Sequence, residues 1–190
     1  NESFASYMAT LALAQATEYK DAWITFYADM KKWAYWQDQL ITTHPIVGVV
    51  INTDEAFTQF DGITYGKGAA VMKQLSYFVV EKNFQKGLQN YFKKYAYKNT
   101  VVDDFITEIA LASQQDLTKW SKLWLNEATP DVLKTTFECE NGNLKSVRAE
   151  LTNARNTSVR PHLLQFAMLA LNDNKLTVLN AQTAVVNKLE

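Results

Sequence analysis

Phe60-Asp61-Gly62-Ile63-Thr64-Tyr65-Gly66-Lys67-Gly68-Ala69-Ala70-Val71-Met72-Lys73-Gln74-Leu75-Ser76 joins a glycine-punctuated stretch to a strongly apolar one. Val71, Met72, Leu75, Phe78 and Val79 recur at i, i+1, i+4, i+7 and i+8, which predicts a helix with one continuous buried face. The glycines predict a turn ahead of it, since a residue without Cβ admits positive φ or the close approach of another segment. Tyr65 stands where the two meet, and two readings are open. Its ring is one more aromatic closing a core, which spacing alone favours, or its phenol is a hydrogen-bond donor available for chemistry.

Working outward, residues 2–16 are apolar nearly all round (Phe4, Ala5, Met8, Ala9, Leu11, Ala12, Leu13), as in a helix enclosed on every side. Glu2 lies in its first turn, where a carboxylate interacts favourably with the helix dipole by about 0.3–1 kcal/mol. Asp21 to Leu40 predicts a second helix with Asp21 as N-cap and Trp23, Phe26, Tyr27, Met30 and either Trp33 or Ala34 on one face. It ends at Thr42-Thr43-His44-Pro45, because the residue before a proline is pushed out of the α region. His44 there is read as a structural or surface residue, not a metal ligand. Val47 to Ile51 is either a short strand or an extended connector.

Beyond the quoted stretch, Phe84, Leu88, Tyr91, Phe92 and Tyr95 keep a helical period, with Lys86, Lys93 and Lys94 outside. Thr100-Val101-Val102-Asp103 reads as a capping box with Asp103 in place of the usual Glu, opening a helix that buries Val102, Phe105, Ile106 and Ile109. Asp116 is the expected cap of a last helix carrying Leu117, Trp120 and Trp124. Around residue 126 the pattern changes. Val132–Glu138 and Leu144–Leu151 alternate across Asn141-Gly142, a strong hairpin signal, and His162–Leu171 and Lys175–Asn180 turn at Asn172-Asp173-Asn174. Residues 181–190 are open between strand and tail. The fold class is therefore mainly α with a C-terminal antiparallel β part, divided as 1–127 and 128–190. Four or five strands leave a sheet incomplete, and self-association through its uncovered face is an expectation.

Composition narrows the function classes. Nineteen basic against twenty acidic side chains give a net charge of −1, which calls for neither nucleic acid nor an anionic membrane. The single cysteine, Cys139, excludes an internal disulfide and a cysteine-based zinc cluster, and is expected to be half-buried. No apolar run reaches membrane-spanning length. Neither of the two histidines, each beside a proline, supports a nucleophile–base pair. The chain opens on Asn1 in mid-pattern without a Met, which predicts a piece of a longer protein.

Three segments, in order, carry a resemblance to a known family. Asn1-Glu2-Ser3-Phe4-Ala5-Ser6-Tyr7 resembles its N-E-G-F-A-x-Y, Thr43-His44-Pro45-Ile46 its S-S-H-P-I, and Tyr65-Gly66-Lys67-Gly68-Ala69, preceded by Phe60-Asp61, its Y-x-K-G-A. The family is the M1 zinc aminopeptidases, gluzincins with a thermolysin-like catalytic domain that include aminopeptidase N. The match covers about the first 125 residues well and the rest weakly, although Arg160-Pro161-His162-Leu163 resembles a segment early in the following β-sandwich.

The resemblance implies that residues 1–127 are the helical C-terminal part of the catalytic domain and 128–190 the start of the β-sandwich. It implies that Glu2 is the third zinc ligand, about eighteen residues beyond an H-E-x-x-H helix, and Tyr65 the oxyanion donor. The histidine ligands, the general base and the acidic residue holding the substrate's α-amine should precede Asn1. The parent protein is then expected to use Zn2+ to hydrolyse N-terminal residues from peptide substrates. This chain alone is expected to be inactive and to retain no zinc. The lone cysteine and neutral charge suit a cytoplasmic enzyme. Ser3 departs from the family's usual glycine and adds a side chain near the metal. A non-catalytic helical scaffold or interaction module explains the packing patterns equally well, but not the occurrence of three such segments in that order. An inactive homologue kept for binding is the third alternative.

Overall fold

The helical part is organised by α5, Gly68–Phe78, whose Ala69, Leu75 and the following Val79 are wholly buried. The computed structural model describes residues 1–153 and 159–186. These divide into two units, Asn1–Pro130 and Asp131–Glu190.

In the first unit the order is α1 Glu2–Ala16, α2 Ala22–Phe26, a π-helical turn Tyr27–Lys31, α3 Lys32–Asp38, α4 Thr53–Thr58 and a second π-helical turn Ile63–Lys67. Then follow α5, α6 Glu81–Lys94, α7 Val102–Ser113 and α8 Thr118–Leu125. Val80, at φ 70°, reverses the chain between α5 and α6. The core is aromatic and aliphatic: Tyr7 and Phe26 meet Leu75, Phe84, Ile109 and Trp120. Tyr7 packs edge-on to Phe84 with ring centres 5.8 Å apart, an arrangement that suits the aromatic quadrupole.

Several expectations change. The second helix runs from Ala22 to Asp38 but widens through the π-helical turn Tyr27–Lys31, and Asp21 occupies its N-cap position without a side-chain bond. The glycine-rich stretch is not a turn but helix: Gly62 and Gly68 have φ of −64° and −58°. The absence of a side chain matters for packing instead. A Cβ on Gly66 would collide with the Met30 carbonyl of the other π-helical turn, and one on Gly68 with the Ser3 hydroxyl. α1 is not enclosed on every side, since α2, α5 and the Ile63–Lys67 turn pack on it and leave Ala5, Ala9, Ala12 and Leu13 exposed. These are mostly alanines, whose burial gains least. Residues 47–51 are a connector, and the capping interaction of α7 falls one residue later, with Asp104 accepting the Val101 N–H at 3.0 Å. Val101 has no side-chain acceptor, so only half of a capping box is possible. Val102, in the first turn of α7, is exposed and not part of its buried face. Asp116 stands one residue ahead of the α8 N-cap, Leu117, and accepts the Thr118 N–H at 2.9 Å.

The second unit is two antiparallel hairpins, β1 Asp131–Glu140 with β2 Asn143–Asn153 and β3 His162–Asn172 with β4 Lys175–Val186. Among the described residues these are separate two-stranded sheets instead of one sheet of four or five strands. Both reverse through two residues of positive φ, Asn141 and Gly142 (52° and 78°) and Asp173 and Asn174 (49° and 59°), which suits the twist of a tight hairpin. β4 extends through Val186, and the rest of the 181–190 stretch lies outside the described residues. Cys139 is exposed, because a two-stranded sheet leaves both faces open at that position.

The hairpins are tied at one carboxylate. Asp131 Oδ1 accepts from Asn153 Nδ2 (2.8 Å) and an Arg160 guanidinium nitrogen (2.9 Å), while Oδ2 accepts from the Arg160 backbone N–H (3.0 Å) and His162 Nε2 (2.9 Å). Burial pushes the Asp131 carboxyl up, but the hydrogen bonds from His162, Asn153 and Arg160 and the Arg160 charge outweigh it, and it titrates below the usual carboxylate range. No helix among the described residues is long and apolar enough to cross a membrane.

Candidate active site

Tyr65 is the middle residue of the π-helical turn Ile63–Lys67. Such wide turns persist where neighbouring groups hold them, and here four attachments do so. Asp61 governs the entry. Its Oδ1 accepts the N–H groups of Ile63 (2.9 Å) and Thr64 (3.0 Å), and its carbonyl accepts that of Tyr65 (3.0 Å). Its Oδ2 lies 3.1 Å from His44 Nε2, and His44 Nδ1 is 2.8 Å from the Pro45 carbonyl oxygen. The Gln37 side-chain carbonyl accepts the Gly62 N–H.

At the exit, Lys67 Nζ lies 2.9 and 2.8 Å from the two oxygens of Asp38. Asp38 is only 3% exposed and also accepts from the Thr43 hydroxyl at 2.7 Å. Between entry and exit, the Ser3 hydroxyl donates to the Thr64 carbonyl at 2.7 Å. The N-E-S-F-A, T-H-P-I and Y-G-K-G-A segments, far apart in the chain, thus converge on one helical turn.

Glu2 reaches the same place from α1. Asn1 caps that helix, its Oδ1 accepting the Glu2 N–H at 3.1 Å and its carbonyl the Ala5 N–H at 2.9 Å. The Glu2 carboxylate stands beside the Tyr65 phenol. Burial first, and then the nearby negative charge of Glu2, push the phenol above its ordinary value. Since that value is already about 10, Tyr65 is a neutral O–H donor at pH 7. Phe60 packs edge-on against the Tyr65 ring at 6.3 Å, with Phe57 5.9 Å beyond Phe60, and together they limit where the ring can swing.

The structure therefore brings together the two residues singled out in the sequence, a carboxylate oxygen able to bind a cation and a neutral donor next to it. Among the described residues no three His, Cys, Asp or Glu side chains gather as a complete metal site. One carboxylate suits a single place in such a set, because zinc accepts Glu oxygen beside histidine nitrogen. Sequence reasoning missed Gln37 and Asp38, which sit in a polar stretch with no motif. Asp61 carried a faint signal as a cap-type residue ahead of an apolar helix.

Residues 1–124 match the model of the peptidase family M1 domain. The chain is 45% identical over 142 residues to aminopeptidase N of Streptomyces lividans, covering 74% of this chain and 17% of that protein. It is 31% identical over 180 residues to probable aminopeptidase 2 of Sulfurisphaera tokodaii, covering 94% and 22%. Against glutamyl aminopeptidase of Bos taurus it is 30% identical over 164 residues, covering 85% and 16%. The chain belongs to peptidase family M1. It spans less than a quarter of the length of these three relatives.

Proposed function

We propose that this chain contributes the third zinc ligand, Glu2, and the oxyanion donor, Tyr65, to an aminopeptidase that removes N-terminal residues from peptides. The observation that carries the reading is that Glu2 and Tyr65 face each other across one hydrogen bond of 2.7 Å, from Ser3 beside Glu2 to the Thr64 carbonyl beside Tyr65, on a turn held by all three family-like segments. Family membership and relatives named as aminopeptidases support the reaction and a substrate with a free N-terminus.

Glu2 offers one carboxylate oxygen to Zn2+, and the remaining ligands and the general base come from residues beyond this chain. Zinc, when bound, polarises the scissile carbonyl and lowers the pKa of a water molecule. Tyr65 donates its O–H to the former carbonyl oxygen as negative charge develops there. A donor whose bond strengthens only as that charge grows raises kcat more than it tightens substrate binding. The anchored turn supplies that donor already oriented, so little reorganisation accompanies the reaction.

In the full-length protein, Tyr65→Phe lowers kcat roughly 10²–10³-fold with a smaller change in KM. An unchanged kcat removes Tyr65 from the mechanism. Glu2→Ala lowers the zinc retained after dialysis, measured by atomic absorption, and full retention removes Glu2 from the ligand set. The 190-residue chain alone hydrolyses no peptide and binds zinc weakly, and a stoichiometric micromolar or tighter site in a zinc titration refutes this.

A further inference from the structure

We infer that Ser3 is a positioning residue for Tyr65: its hydroxyl bond to the Thr64 carbonyl sets the spacing between the helix that carries Glu2 and the turn that carries Tyr65. The proposal rests on the role given to Tyr65 above. Ser3 directly follows Glu2, and Thr64 directly precedes Tyr65, so one hydrogen bond of 2.7 Å ties the immediate neighbours of both groups.

The local geometry shows why this bond controls position. The Gly68 N–H bonds to the carbonyls of Ile63 and Tyr65, and the Thr64 carbonyl between them takes the hydroxyl of Ser3. Gly68 leaves room for the Ser3 side chain, because a Cβ there would collide with Ser3 Oγ. In this chain any side chain at position 68 would therefore displace the Ser3 hydroxyl. Of the four attachments of the turn, those from Asp61, Gln37 and Lys67 link it to the 37–61 region. Ser3 alone among them ties it by side chain to α1, where Glu2 sits. Losing that tie leaves the turn intact but frees it to shift against α1. Such a shift weakens a donor whose effect depends on distance to a developing charge.

The test is a double-mutant cycle in the full-length zinc-loaded enzyme with Ser3→Ala, Ser3→Gly and Tyr65→Phe. Ser3→Ala and Ser3→Gly each lower kcat about 3–10-fold, the loss expected when one ordinary hydrogen bond is removed, with KM within twofold. In the Tyr65→Phe background the same substitutions have no further effect, because the group they position is gone. Amide hydrogen exchange across residues 61–68, measured on the metal-free protein, quickens in Ser3→Ala. Thr10→Ala is the control, since Thr10 donates an equivalent hydroxyl bond to the Ser6 carbonyl at 3.0 Å further along the same helix, and it leaves kcat and that exchange unchanged. An equal proportional loss in both backgrounds, or no loss in either, overturns the positioning role while leaving Tyr65 in place. An unchanged kcat in Tyr65→Phe alone strikes the underlying reading, and the two failures are therefore distinct.

Discussion

The turn carrying Tyr65 and the carboxylate of Asp131 both gather polar groups out of water, and they do so by opposite designs. At Asp131 four donors from Asn153, Arg160 and His162 converge on the two oxygens of a single side chain. Around Tyr65 the attachments are dispersed. Ser3, Gln37, Asp38 and His44 each hold a different point of one short turn or of its Asp61 cap. Concentrating donors on one carboxylate neutralises a buried charge and ties strand ends. Distributing them along a backbone fixes the orientation of that backbone, and so of the side chain it carries. The first design is a structural knot and the second a mount for one side chain, that of Tyr65.

Lys67→Met puts the comparison under the greatest strain. It leaves the buried Asp38 carboxylate without its cation, which costs about 3–5 kcal/mol of stability, and it loosens the exit of the turn. Thermal unfolding should register the first effect and a fall in kcat at a temperature where the protein stays folded the second. Asp131→Ala removes the carboxylate from Arg160, itself 2% exposed, for a loss of similar size. Its kcat should stay within twofold, and a fall matching that of Lys67→Met would erase the distinction between knot and mount.

The same carboxylate predicts an acid response. Its folded-state value is depressed, so its contribution is fully present above the ordinary carboxylate range, about 4, and is lost as pH falls below it. Unfolding followed from pH 6 to 3 should show this loss, and Asp131→Asn should remove that part of the pH dependence. The smallest effect belongs to neither region. Asn52 caps α4 through the Glu55 N–H at 2.9 Å, and Asn52→Ala should cost about 0.5–2 kcal/mol with no change in kcat. A kinetic effect there would mean that helix ends outside the mount also control Tyr65.

Much of the helical order was legible because periodicity is local. Val71, Met72, Leu75 and Val79 announce the buried face of α5, and all four are buried. The hairpin turns were legible for a similar reason, since Asn-Gly and Asp-Asn tolerate the positive φ that a two-residue reversal needs. The glycines around Tyr65 were misread as a turn, because glycine serves both flexible chain and close packing and spacing does not tell them apart. Gly66 is required by the Met30 carbonyl, 36 positions away in sequence, and nothing near position 66 reveals it. The π-helical widening of the second helix was equally hidden, because the two π-helical turns pack against each other and neither is written in its own residues.

By itself the sequence determined the longer helices of the first unit, though not α4 or the π-helical turns, together with the two hairpins of the second and three segments pointing to one family. All rest on neighbours a few residues apart or on residue identities in order. Only the tertiary structure decided that Glu2 meets Tyr65, that Asp38 pairs with Lys67 and that Asp131 gathers Asn153, Arg160 and His162. Those pairings join residues 22 to 63 positions apart. Backbone periodicity carries no information over such distances, and the helices must first pack before the buried polar groups can find one another.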